Sequence, residues 1–285
     1  MNWKHIQSTL LLALLLLPAI GVSQDSVRLE LHKREAVDDK GYKRVWTEYI
    51  DDAGSPVIHG AVEAYYPDGK LFSITEYKDG LPDGEITTWF ENGQVKMSGH
   101  ISGDNKIGLW KYYYEDGSNY REVEYLEDRP YGRSIKWYED GQLHEKGYFK
   151  DGKREGFWTT WYPSGQKRSE GTYVDGKRDS TWSWWHKNGK ISSTGDMMVG
   201  KHIFDWKDWY EDGQPEKIYS YDSLGQMIGD YFEFYPDGSK KTVGFSKNGK
   251  KHGHWTEWNE DGSIKFDAEF DEGIKIEDSI GVAGN

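Results

Sequence analysis

The chain has 285 residues, carries 36 Lys and Arg against 49 Asp and Glu for a net charge of −13, and contains no cysteine. That acidity opposes nucleic-acid binding, which needs a basic face to displace counterions, and it disfavours anionic membrane surfaces. The missing cysteine excludes disulfides, thiolate catalysis and Cys-ligated metals. Only 35% of residues are hydrophobic, yet 14 are Trp and 20 are Tyr. A disordered chain of this polarity would be poor in aromatics, so the rings are expected in many small clusters, as in a repeat protein.

Residues 1–23 read as a signal peptide. Lys4 supplies a basic start, Leu10 to Leu17 an apolar run, and Gly21 and Ser23 the small residues of a cleavage site. The run is too short to cross a hydrocarbon core of about 30 Å. A secreted or periplasmic protein with no transmembrane span in its mature chain is therefore expected. Residues 24–58 read as a degenerate capping hairpin, with a strand over Val27 to Ala36, a turn at Asp38 to Gly41 and a partner strand over Tyr42 to Ile50. Such a cap suits the first element of an array, which lacks a neighbour on one side.

Residues 59–276 fall into nine repeats of about 24 residues. The register is set by Gly60, Gly84, Gly108, Gly132, Gly156, Ser180, Phe204, Gly229 and Gly253, with one step of 25 between Phe204 and Gly229. A second glycine follows nine residues later in every repeat, and Asp or Asn precedes it in eight of the nine, Ser164 being the exception. Asx-Gly pairs suit tight hairpin turns through their access to positive φ. A later turn recurs as Asp79-Gly80, Asp151-Gly152, Asp175-Gly176, Asn248-Gly249 and Glu272-Gly273. The unit thus reads strand, turn, strand, turn.

Two aromatic columns run through the repeats. Two residues after the register position stand Trp110, Trp158, Trp182, Trp206, Tyr231 and Trp255; five residues after it stand Tyr65, Trp89, Tyr113, Trp137, Trp161, Trp185, Trp209, Phe234 and Trp258. Together they hold 11 of the 14 tryptophans, so a structural role as stacked ladders is expected for them. Side chains alternate across a strand, so the columns face opposite ways unless a bulge intervenes. The return strand carries one apolar column, from Tyr77 through Phe149, Tyr173 and Met197 to Phe270. The repeat departs from its own pattern at Ser180 and Phe204, at Asp128 in place of a turn glycine, and at Phe245, which reads as shifted in its return strand. The expected fold is all-β: an elongated array of tandem β-hairpins forming a continuous twisted antiparallel sheet. The tail over 277–285 is expected to fray.

The pattern Gly-x-Trp-x-x-Trp-Tyr-x-x-Gly, as over Gly156 to Gly165, with Tyr173-Val174-Asp175-Gly176-Lys177-Arg178 as the second half, resembles the MORN-repeat variant and the YwqK family of antitoxins that carries it. The resemblance implies a β-sheet array that mediates protein–protein and sometimes lipid contacts, and it supplies no catalytic residues.

No catalytic site emerges. There is no Gly-x-Ser-x-Gly elbow, no Walker-type loop and no calcium-loop signature. His252 and His254, two residues apart, are the one close histidine pair, and a polar loop entering a strand accounts for them. No metal, cofactor or enzymatic activity is expected. Recognition remains. Trp184 sits four residues after the register position, where other repeats place small or charged residues and only Tyr112 is similar. The turn Met197 to Phe204 is the least polar between repeats. Trp184, Met198, Ile203 and Phe204, with Tyr112 elsewhere in the array, are the candidate partner-binding residues. Two readings compete for the four: a docking patch, or side chains filling a packing irregularity left by the missing glycines. The leading function is an exported scaffold that binds another protein. The alternatives are a module binding carbohydrate or envelope polysaccharide, and an antitoxin or immunity protein against a toxin met outside the cytoplasm.

Overall fold

Short runs of aromatic and β-branched residues between glycine-marked turns cannot bury a helical face, and they pair instead with the run that follows. The computed structural model describes residues 30–276, in which 22 strands and no helix are found. The expected signal peptide and frayed tail lie outside the described residues. Two units divide the strands at Gly141.

The first unit contains β1 (His32–Val37), β2 (Lys43–Ile50), β3 (Pro56–Ile58), β4 (Gly60–Tyr65), β5 (Leu71–Lys78), β6 (Leu81–Trp89), β7 (Val95–Ser102), β8 (Asn105–Tyr113), β9 (Asn119–Leu126) and β10 (Arg129–Trp137). The second contains β11 (Leu143–Lys150), β12 (Lys153–Trp161), β13 (Lys167–Val174), β14 (Lys177–Trp185), β15 (Ile191–Met198), β16 (Lys201–Trp209), β17 (Pro215–Tyr221), β18 (Met227–Phe234), β19 (Lys240–Lys247), β20 (Lys250–Trp258), β21 (Ile264–Asp271) and β22 (Ile274–Lys275). Within each unit successive strands pair antiparallel, as β4 with β5 and β12 with β13. β2 pairs with β1 and also with both β3 and β4, so Pro56–Ile58 runs on into the first repeat's strand.

Two kinds of turn alternate. At the second glycine the loop has three residues: Tyr162 N–H donates to the Gln166 carbonyl, Gly165 N–H to the Tyr162 carbonyl, and only the glycine takes positive φ. The Asx residue keeps an ordinary backbone here. Its carboxylate or amide oxygen accepts the N–H two residues on, as Asp68 does from Lys70 at 3.0 Å, so the Asx preference comes from this cap and not from positive φ. The later turn has two residues, both left-handed: Asp175 and Gly176 have φ of 50° and 79°. That is the type I′ hairpin. The 25-residue step arises because the β17–β18 connection uses the three-residue kind, closed by Asp222 N–H to the Gln226 carbonyl.

The register glycines lie within strands, at a bulge. Between the pairs Glu170↔Ser183 and Thr172↔Asp179 the forward strand carries two residues more than the return strand, and the register residue there is left-handed. Ser180 and Phe204 adopt φ of 60° and 54°, the same conformation as the glycines they replace. The bulge frees a carbonyl, and the tryptophan two residues on takes it: Trp158 Nε1 donates to Tyr148 O at 3.0 Å, Trp182 Nε1 to Thr172 O at 3.0 Å, and Trp110, Trp206 and Trp255 do likewise.

The core is this column. Trp158 is 1% exposed, and Trp110, Trp182, Trp206 and Trp255 are also buried. Each indole lies flat on a glycine of the preceding return strand (Gly99, Gly147, Gly171, Gly195 or Gly244), where a Cβ would stand inside the ring's van der Waals surface. Where that glycine is missing the tryptophan is missing too: Val123 faces Ser134, and Thr75 faces Ile86. The rings do not stack on one another as a uniform ladder. In β11 to β14 they meet edge-to-face, Phe149 on Trp158 at 5.0 Å and 84°, then Tyr173 on Trp182 at 5.0 Å and 84°. Alternation sends the second column, with Trp89, Trp137, Trp161, Trp185, Trp209 and Trp258, to the opposite face, where it is half-buried. The ring that follows it ties one repeat to the next, as Tyr162 Oη donates to Trp185 O at 2.9 Å. Phe245 is not a register shift. Ser246 occupies the paired column position opposite Gly229, and Phe245 turns to the other side, 40% exposed.

Candidate interaction surface

Cross-strand partners share a face, so the pairing places Glu145, Thr160, Ser169, Trp184, Ser193 and Asp208 in one row across β11 to β16. Thr160 and Ser169 hydroxyls share a hydrogen bond of 2.7 Å, and Ser193 Oγ donates to Asp208 Oδ1 at 2.6 Å. Trp184 is the one large ring in this stretch. It lies between the buried tryptophans, 5.6 Å from Trp182 and 5.8 Å from Trp206, and keeps one part open to solvent. Its reach across two repeats follows from its position, two residues beyond Trp182 and so on the same side of β14.

The neighbouring hairpin β15–β16 is built against the rule of its own turn. Elsewhere the first residue of the two-residue turn is mainly Asp, Asn or Glu; here it is Val199, at φ 51° and 58% exposed. A β-branched residue is an outlier in that region. Phe204, left-handed at the bulge, is 56% exposed, and Met198 is 42% exposed. Ile203 differs: at 7% exposure it is buried, and it pairs with Asp196 away from Met197, so it cannot touch a partner. Tyr112 holds the equivalent row position in the first unit, paired with Met97 and Arg121 and 6.3 Å from Trp110. Trp184, Met198 and Phe204 thus lie on β14 to β16 with Val199 at the turn, but Met198 alternates with the core residue Met197 and so turns to the face opposite Trp184, while Tyr112 lies in the other unit.

His202 lies under this hairpin, stacked on Trp206 at 3.8 Å. Burial holds its pKa below the ordinary histidine value, with Arg178 acting the same way and Asp208 against. Burial, followed by the Asp208 carboxylate, pushes the Tyr219 hydroxyl far up, and that hydroxyl donates to Asp208 Oδ2 at 3.0 Å. Both groups are thereby held neutral.

Beside Trp184 lies a feature the sequence reading missed: a cavity of about 230 Å³ rimmed by Arg154, Arg168 and Arg178 over Trp158 and Trp182. Arg154 and Arg178 follow turn glycines and read in sequence as solvated turn charges. The signal that could have found them is their spacing of one repeat, which brings them to the same edge of adjacent hairpins. His252 and His254 turn to separate carboxylates, Asp271 at 3.2 Å and Asp267 at 2.7 Å.

The MORN repeat variant family matches residues 58–79, 82–101, 130–151, 154–175 and 251–272. The chain carries MORN-variant repeats. The matched segments are the hairpins in which the glycine bulge and the two turn types recur, and repeats of this kind suggest a scaffold for protein or membrane interaction. The stretch over 176–250, which holds Trp184 and the β15–β16 hairpin, falls between matched segments. No curated protein matches the chain. Among the described residues no helix is long and apolar enough to cross a membrane.

Proposed function

We propose that this chain is an exported, non-catalytic MORN-variant scaffold that binds another protein through the β15–β16 hairpin and the adjoining edge of Trp184. The observation that carries the reading is the strain in that hairpin. Val199 and Phe204 hold left-handed backbone that costs roughly 1–2 kcal/mol per non-glycine residue, yet both side chains stand open to solvent and pack little in return. Apolar groups kept exposed against a local cost point to a contact made by the surface. A carbohydrate platform is less well supported, because guanidinium groups already cover the indole faces of Trp158 and Trp182. If the antitoxin resemblance extends to activity, the same hairpin would face a toxin encountered outside the cytoplasm.

The test uses Val199→Asn and Phe204→Gly, changes that relieve the backbone and leave a folded chain. Capture of a partner from an extracytoplasmic fraction is expected with the unaltered protein and lost with the double variant. Equal capture by both would overturn the reading. N-terminal sequencing of the exported protein checks removal of residues 1–23.

A further inference from the structure

The cavity on the second unit is bounded by four successive strands, with His144 and Glu145 from β11, Arg154 from β12, Arg168 from β13, and Arg178 and Trp184 from β14. At about 230 Å³ it holds roughly seven or eight water volumes of ~30 Å³ each, the size of one polar side-chain head and not of an extended ligand. Its charges do not cancel. Arg154 Nη2 holds Glu145 Oε2 at 2.7 Å and its guanidinium lies 4.2 Å over Trp158, so that pair is neutral and internally satisfied. Arg178 lies 4.8 Å over Trp182 and 5.4 Å over Trp184. A cation–π contact uses the flat face of a guanidinium and leaves its edge of N–H donors free. Arg168 is the extra residue of a one-residue bulge, since Thr160 pairs with Ser169 and Trp161 with Lys167. Among the described residues neither the Arg168 nor the Arg178 guanidinium has a hydrogen-bond or ion-pair partner. Two exposed guanidinium groups without an ion-pair partner thus border a small cavity on a chain of net charge −13.

We propose that this cavity is a carboxylate pocket, and that it receives a Glu or Asp side chain from an acidic peptide segment of the bound partner. The proposal rests on the protein-binding reading above and names the chemistry of the partner. A planar carboxylate matches the free guanidinium edges two-pronged, and in the same cavity Arg154 already holds a carboxylate, Glu145, through the single contact of Nη2 to Oε2. Neutral sugars lack the charge and find the indole faces already covered. The protein's overall negative field repels acidic segments at long range, so selection acts at contact, through Arg168 and Arg178.

The experiment follows the tryptophan indole N–H signals of the full chain by NMR during titration with acetylated hexaglutamate, hexaglutamine and inorganic phosphate. Hexaglutamate is expected to shift the Trp182 and Trp184 signals, and hexaglutamine is not. Arg168→Gln and Arg178→Gln are each expected to weaken hexaglutamate binding about tenfold, as loss of a charge-assisted pair implies, with the remaining indole signals in place. The proposal is overturned if hexaglutamate leaves the folded wild type unchanged, if the variants bind it equally, or if phosphate binds as well as the peptide. The titration needs neither Val199 nor Phe204. A chain that binds hexaglutamate but ignores the Val199→Asn and Phe204→Gly changes in partner capture overturns only the hairpin reading. The converse overturns only the pocket.

Discussion

Gly171 and Trp182 form one shape between them: the indole rests on the glycine Cα, and its Nε1 reaches past it to the carbonyl of Thr172. Neither residue works without the other. The glycine gives the ring its seat, and the bulge at Ser180 gives the ring its hydrogen bond.

Gly171→Ala is therefore expected to cost about 1–3 kcal/mol, the range for overpacking a close-fitted site. In a Trp182→Val background the same change is expected to cost far less. A double-mutant cycle by urea unfolding measures the coupling, and an additive result would contradict the seat.

Trp182 and Trp184 are expected to separate cleanly. Trp182→Ala removes a buried ring and should cost about 3–5 kcal/mol. Trp184→Ser removes a ring that is partly open and should leave a folded chain of only modestly lower melting temperature. If Trp184→Ser unfolds the protein, its role is packing and not recognition.

Phe204→Gly and Val199→Asn should each raise stability by about 1 kcal/mol, since both residues hold left-handed backbone. For a chain of this size that corresponds to roughly 2–4 °C in melting temperature. Scanning calorimetry on each variant decides it, and a lower melting temperature would mean that Phe204 packs more than its 56% exposure indicates.

Ser134 makes the opposite kind of site. It is 1% exposed, and its Oγ has no hydrogen-bond partner among the described residues. Removing an unsatisfied buried hydroxyl relieves a penalty of about 1–3 kcal/mol against a small cavity, so Ser134→Ala should be neutral or stabilising in thermal unfolding.

His202 sets a pH dependence whose sign is fixed. Its folded pKa is lowered, so the unfolded chain takes up a proton first as pH falls below the ordinary histidine value near 6.5. Stability contributed by the neutral ring is complete above that value and declines as pH drops toward the lowered one. His202→Phe should flatten this part of the profile relative to wild type. Melting temperatures at pH 7.5 and 5.5, compared between the two proteins, provide the check.

The repeat and its hairpins were legible because turn chemistry is local: Asx-Gly and the aromatic columns recur at fixed spacing, and the strands fall where those signals put them. The reason for the register glycines was not legible. A glycine inside a strand gives no sign of whether it marks a turn or a bulge, and only the pairing shows two extra residues there. The return-strand glycines Gly99, Gly147, Gly171, Gly195 and Gly244 play no part in the turn pattern, so the repeat's turn chemistry does not point to them. Their presence always eleven residues before a tryptophan was the available clue. For the candidate surface, sequence singled out Trp184 and Phe204 by their departure from the repeat. It also included Ile203, because apolar character alone does not distinguish an exposed residue from a buried one. The arginine-lined cavity depends on which faces adjacent hairpins present, and that is decided by the bulges.

Every indole in the core column closes its hydrogen bond onto a carbonyl ten residues earlier, across one two-residue turn. The contacts that build this β-protein thus lie mainly between strands that follow one another in the chain, unlike those of sandwiches and barrels, whose strands wait for distant partners. A low contact order of this kind speeds folding, because little loop entropy is lost before each contact forms. Successive hairpins can then seat their rings as the chain emerges, each on the glycine of the one before.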